Sequence, residues 1–254
     1  MSVAPLSRTA SSPHRGSIEV ATLAALYAVY EVVRGQGHAT VAAAREHTGW
    51  IVDLERSLHV FGERAVQHAA DAVPAVPTLL GIAYVVLHFL GTGAFLVWLY
   101  RRHPERFPRV RNTLIVATGI ALALYVTFPV APPRLAALGF VDTVSHKTGI
   151  NLSSDLLGNL YNPFAAVPSL HFGYALLVGA TLAAIARRPL LRVLAWSYPA
   201  LMLLVIVATG NHFFFDAAAG ALAIGVGYLS ASWVDSATRA PRRRPAAGSV
   251  AATS

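Results

Sequence analysis

Six separate runs of Ala, Leu, Val and Ile, each near the length that carries a helix across a hydrocarbon core, restrict what this chain can fold into. They cover approximately Ser17 to Val33, Val76 to Tyr100, Thr113 to Val130, Pro168 to Ala186, Leu190 to Ala208 and Phe213 to Val234. A span needs roughly 20 mostly apolar residues, and helix is the form that satisfies every backbone N–H and C=O where water is absent. Apolar residues make up 55% of the chain and charged ones only 13%, too few charges for an ordinary soluble surface. The expected fold is an all-α, six-span transmembrane helical bundle. One membrane domain covers residues 17–236, between a cytoplasmic N-terminal tail at 1–16 and a disordered basic tail at 237–254. The first run follows Arg8 and Arg15 like a signal peptide. It ends in Glu31-Val32-Val33-Arg34 rather than a small-residue cleavage site, so it reads as a retained anchor.

The net charge of +8 points to lipid headgroups and not to nucleic acid, because the arginines sit at the ends of apolar runs. Short cytoplasmic loops carry the excess of Lys and Arg. With the N-terminus inside and the spans alternating, the inside segments hold clusters at Arg8 and Arg15, Arg101 to Arg111, Arg187 to Arg192 and Arg239 to Arg244. The division is fourteen basic residues inside against six outside. An odd span count or an inverted chain breaks that agreement. The inside clusters face anionic headgroups on the cytoplasmic side, and the short loops and Ala/Arg-rich style suggest a bacterial plasma membrane. Without cysteine, neither a disulfide nor a thiolate site is available.

Two further segments lie on the outer side in this topology. Over about residues 38–72, Trp50, Leu54, Leu58, Phe61 and Ala65 recur at helical spacing, with Asp53, Arg56, Glu63 and Arg64 on other faces. The pattern predicts an amphipathic helical segment on the membrane interface, broken near Gly62. Residues 131–167 are richer in Pro, Gly, Asn, Ser and Asp and read as a long outer loop.

Polar, titratable groups stand at the outer ends of two apolar runs: Pro168-Ser169-Leu170-His171 and Gly210-Asn211-His212-Phe213-Phe214-Phe215-Asp216. His212 and Asp216 are four apart, so on a helix they share a face and the carboxylate can accept one imidazole proton. The other ring nitrogen is then a free base, the orienting logic that activates nucleophiles in hydrolase triads. An acid within a span is costly and asks for a partner or a task. Gly220, one turn deeper, admits a close neighbouring helix. In the first stretch, Pro168 suits the first helical position, and the amides behind it with the Ser169 hydroxyl make an anion site. His171, one turn in, can protonate a departing oxygen. Arg134, among the prolines after the third run, is the best cation for a phosphate, and Asn211 joins Arg134 and Ser169 as a candidate phosphate ligand.

Plainer readings hold for the other histidines. His14, His38, His47, His59, His68 and His103 read as headgroup or loop contacts, His88 as a contact between helices, and His146 with Lys147 as loop groups near the site. Two histidines and a carboxylate are also the ligand set of a facial iron triad. Asp216, however, is spaced to bond His212 rather than share a metal with it, so neither metal nor cofactor is expected.

These residues resemble the type 2 phosphatidic acid phosphatase superfamily, which shares a helical core with vanadium haloperoxidases. Pro168, Ser169 and His171 match its Pro-Ser-x-His motif, and His212, Asp216 and Gly220 its His-x-x-x-Asp-x-x-x-Gly. The resemblance spans about Val76 to Val234. It implies that His212 becomes phosphohistidine, Asp216 orients it and His171 protonates the leaving group. Ile206 stands where the superfamily usually has an arginine, and Ala131-Pro132-Pro133-Arg134 replaces its Lys/Arg-Pro motif. The Ala-Pro-Pro turn, Pro-Ser-Leu-His and Asn-His-Phe-Phe-Phe-Asp look most like the inositol phosphorylceramide synthase, or aureobasidin A resistance, branch. The implied function is a lipid phosphatase or phosphotransferase acting on a membrane lipid at the extracytoplasmic face, with inositol-phosphoryl transfer as one form. Hydrolysis of phosphatidate or a prenyl (pyro)phosphate is the alternative within the class. A transporter or catalytically silent membrane protein is the alternative outside it.

Overall fold

The computed structural model describes residues 13–35, 41–148 and 163–239. Each of the six apolar runs is helical. They form α1 (Pro13–Gly35), the pair α4 (Val76–Val86) and α5 (Thr92–Arg102), α6 (Phe107–Thr127), α8 (Leu170–Ile185), α9 (Pro189–Ala208) and α10 (Phe214–Arg239). A π-helical turn, Leu87–Gly91, joins α4 to α5 without breaking the rod. Among the described residues, four helices are long and apolar enough to cross a membrane: Val76–Arg102, Phe107–Thr127, Pro189–Ala208 and Phe214–Ala237. Gly16–Tyr30 and Leu170–Ile185 are apolar but shorter. The chain is therefore an all-helical integral membrane protein, with four spans met by length and composition where six were expected. Two ends differ from expectation as well. Pro13 to Gly16 belong to α1 rather than to an N-terminal tail, and Ala237 to Arg239 belong to α10 rather than to a disordered tail; residues 1–12 and 240–254 lie outside the described residues.

Close packing between helices rests on small residues, as it must where lipid is as apolar as the side chains. A Cβ on Gly227 would stand 2.6 Å from the Thr113 carbonyl, and one on Gly179 would stand 2.7 Å from that of Ala195. These glycines let α10 lie against α6 and α8 against α9. At one end of the bundle Phe95, Leu99, Phe107, Val110, Leu114, Leu177 and Ile224 form an apolar core. Arg109 pairs with Asp235 there, tying the end of α10 to the start of α6, while Arg111 pairs with Glu19 of α1.

The opposite end collects the buried polar groups. Helices α2 (Val41–Ser57) and α3 (Glu63–Asp71) meet at the turn before Gly62 and cover this end. Trp50, Leu54 and Leu58 are exposed, whereas Thr48, Glu55, Glu63 and Gln67 are buried against the bundle. Glu63, expected on a face away from the apolar stripe, points into the protein. An interfacial helix can turn its apolar face to lipid and its polar face to a polar core, the reverse of a soluble amphipathic helix. The expected loop at 131–167 holds a 3₁₀ turn at Pro133–Leu135 and a short helix, α7 (Thr143–Thr148). Residues 149–162 of that loop lie outside the described residues.

Candidate active site

At the start of α10 the chain leaves α9 through Gly210, whose φ of +69° is left-handed backbone that glycine adopts at no steric cost. A Cβ there would also come within 2.9 Å of the Val141 carbonyl. The turn then folds back, with the amides of Asn211 and His212 both donating to the Ile206 carbonyl at 3.1 Å. His212 is 5% exposed and its Nδ1 lies 3.1 Å from Oδ2 of Asp216. That oxygen also accepts the Phe213 amide at 2.9 Å. Asp216 is fully buried. The contact assigns the proton to Nδ1 and leaves Nε2 as the basic nitrogen.

The start of α8 is set differently. Ser169 has extended dihedrals and its hydroxyl accepts the Phe172 amide, which makes it the N-cap. Pro168 consequently precedes the helix instead of occupying its first position, and its carbonyl accepts the Tyr125 hydroxyl at 2.9 Å. Ser169 is fully buried and, like Asp216 and unlike Arg134, His171, Asn211 and His212, does not line the cavity described below. Its amide donates to the Asp216 carbonyl at 2.9 Å, joining the two helix starts directly. Gly220 makes that contact possible: a Cβ on it would fall 2.3 Å from the Ser169 carbonyl.

His171 and His212 are thereby brought together, their ring centroids 5.8 Å apart. His171 stacks on Tyr84 at 4.2 Å and on His88 at 3.9 Å. His88 sits in the π-helical turn, the kind of helix irregularity frequent at functional sites. Sequence reasoning read His88 as a helix contact. Its placement mid-run, where a polar side chain is costly, was the available signal.

Arg134, nearly buried, donates from Nη1 to Oδ1 of Asn211 at 2.6 Å, and its Nε lies 3.3 Å from Oδ2 of Asp142. The Asn211 side-chain Nδ2 in turn donates to the Thr209 hydroxyl at 2.9 Å. Asn211 therefore orients the guanidinium. Ile206, at the position where an arginine is usual, is fully buried among apolar neighbours of α9. A cavity of about 250 Å³ is lined by Arg134, Asn211, His171, His212, His88 and Tyr84, and continues along Leu23, Tyr27, Phe89 and Leu96. One end is cationic and hydrogen-bonding and the other apolar, the chemistry of an amphiphile with an anionic head. Among the described residues no three His, Cys, Asp or Glu side chains form a metal-holding group.

The family model of the PAP2 superfamily matches residues 49–230, which takes in Arg134, Ser169, His171, Asn211, His212 and Asp216. Comparison with curated proteins and with solved structures gave no match.

Proposed function

The chain belongs to the PAP2 superfamily, whose chemistry is of the phosphatase type on lipid phosphates, and from that premise we propose the reaction its site performs. His212 attacks the phosphorus of a lipid phosphate ester through Nε2 while Asp216 holds Nδ1–H and stabilises the cationic ring. The ester P–O bond breaks as the N–P bond forms, and His171 delivers its proton to the departing oxygen. His171, now neutral, then takes a proton from water or an alcohol, which attacks the phosphohistidine and releases His212. Arg134, oriented by Asn211, neutralises charge on the phosphoryl oxygens. Ser169 contributes through the helix start, not by touching phosphate.

The convergence of His171 and His212 at one end of a shared cavity carries this reading. A centroid separation of 5.8 Å is one that a phosphoryl group with its ester oxygen spans. The topology proposed with it has six spans, α1 and α8 crossing beside the four helices already long and apolar enough to span. Both termini lie inside and the site faces the extracytoplasmic side of a bacterial plasma membrane, as the distribution of arginines supports. Transfer of a phosphoinositol head group to a lipid hydroxyl is the form of the reaction favoured by the Ala131 to Arg134 turn. Hydrolysis is the same chemistry with water as acceptor.

The test is a panel of phosphorus-labelled lipids, phosphatidate, a prenyl pyrophosphate and phosphatidylinositol, given to purified protein with and without a lipid alcohol. Label in a new lipid establishes transfer, and label in free phosphate establishes hydrolysis. Absence of turnover on every donor by folded protein contradicts the reading.

A further inference from the structure

The mechanism uses neither of the two buried glutamates of the α2–α3 hairpin, and each has a defined place. Glu55 is 2% exposed and Glu63 is fully buried. Oε1 of Glu63 accepts the Phe214 amide at 2.9 Å, and Oε1 of Glu55 accepts the Phe215 amide at 2.7 Å. With the Phe213 amide on Asp216, three successive amides at the start of α10 are each taken by a carboxyl group. The first turn of a helix offers such unsatisfied donors and a positive dipole end. Here two of its three acceptors come from a hairpin remote in sequence.

The second oxygens are informative. Oε2 of Glu55 and Oε2 of Glu63 are buried with no N–H or O–H donor among the described residues, and the two carboxyl groups lie within hydrogen-bonding reach of each other. Two bare carboxylates have no donor to exchange, and one proton between them supplies it. Among the described residues neither glutamate forms an ion pair. The Arg56 guanidinium lies over the Phe61 ring, Arg64 lies against Gly139, and the charged group facing the pair from α10 is Asp216, itself an acid.

We infer that Glu55 and Glu63 form an acid pair holding one proton, and that it acts as a positioning device for the catalytic turn by fixing the Phe214 and Phe215 amides between His212 and Asp216. The effect on turnover rests on the proposed function; the shared proton does not. Burial and then the contact with Glu63 push the Glu55 carboxyl up to about 8, against the lowering pull of the Phe215 amide. The folded protein therefore keeps a proton that an ordinary carboxyl, at about 4.5, has lost. Its contribution to stability is complete below about 4.5 and is lost as pH rises to about 8. Above that, two charges face each other beside Asp216 and the turn loosens.

The experiment compares wild type, Glu55→Gln and Glu55→Ala as purified full-length protein in detergent, by thermal unfolding and by kcat and KM across pH. In wild type the unfolding midpoint falls as pH rises from 4.5 to 8, and Glu55→Gln, which donates permanently, removes that part of the slope. Glu55→Ala lowers kcat by about 10²-fold, the scale of a small misplacement, with KM little changed. Glu55→Gln recovers most of that loss and extends activity to higher pH. An unfolding slope identical in wild type and Glu55→Gln overturns the shared proton. A Glu55→Ala protein that folds with wild-type kcat overturns the positioning role. If Glu55→Ala does not fold, an unchanged alkaline limb in Glu55→Gln overturns that role instead. If wild type turns over no lipid phosphate, the proposed function falls, and with it the positioning claim, while the unfolding comparison still decides the acid pair.

Discussion

The helices that bring the two site histidines together begin in contrasting ways. At the start of α8 a single local side chain, Ser169, caps the helix and His171 follows from it within one turn. At the start of α10 the acceptors are Asp216 from the helix itself and Glu63 and Glu55 from the covering hairpin, which take the three amides that follow His212. The first start is specified by neighbours in sequence, the second by tertiary structure. The His171 side of the site is thus built into its own helix, whereas the turn that carries His212 is held in part by α2 and α3.

Substitutions divide along this line, and the largest effects fall at α10. His212→Ala removes the proposed nucleophile and is expected to lower kcat by about 10⁴-fold or more with the unfolding midpoint retained, measured on whichever lipid the panel identifies. Asp216→Asn keeps the shape but frees the imidazole to take the wrong tautomer. The expected loss approaches about 10⁴-fold, as for a triad carboxylate. At α8, His171→Gln is expected to cost about 10²–10⁴-fold on lipid esters. It should cost much less on an aryl phosphate, whose leaving group needs no proton. An equal loss on both substrates removes His171 as general acid.

Smaller effects probe the junction between the two starts. Gly220→Ala places a methyl 2.3 Å from the Ser169 carbonyl, and the helices must part. The expected destabilisation is roughly 1–3 kcal/mol, read from unfolding, with turnover falling as the Ser169–Asp216 contact opens. Ser169→Ala removes only the local cap and is expected to cost ~1 kcal/mol of stability with KM unchanged. A marked rise in KM would return Ser169 to the phosphate site.

The difference between the two helix starts also explains what the sequence makes legible. The helices at all six apolar runs can be read from composition and length, because lipid imposes both. His212 and Asp216 can be read from their spacing of four, a local property of helix. The capping role of Ser169 was within reach for the same reason, although Pro168 drew attention to itself as a helix start. Glu55 and Glu63 were not legible. An amphipathic pattern separates two faces but does not say which one meets protein, and at a membrane interface the apolar face can go to lipid. The pairing of Arg134 with Asp142 was hidden because the turn between them carries no period to read. Gln67 was hidden likewise: it receives the Val141 amide and donates to the Val141 and Ala208 carbonyls, fastening loop and hairpin together.

The most direct test is rapid acid-free quenching of protein turning over a phosphorus-labelled lipid, followed by mapping of the label. With Nδ1 held by Asp216, an acid-labile phosphohistidine is expected at residue 212, bonded through Nε2 and absent from His212→Ala. Label at Nδ1 or on another residue, or full turnover by folded His212→Ala, contradicts it.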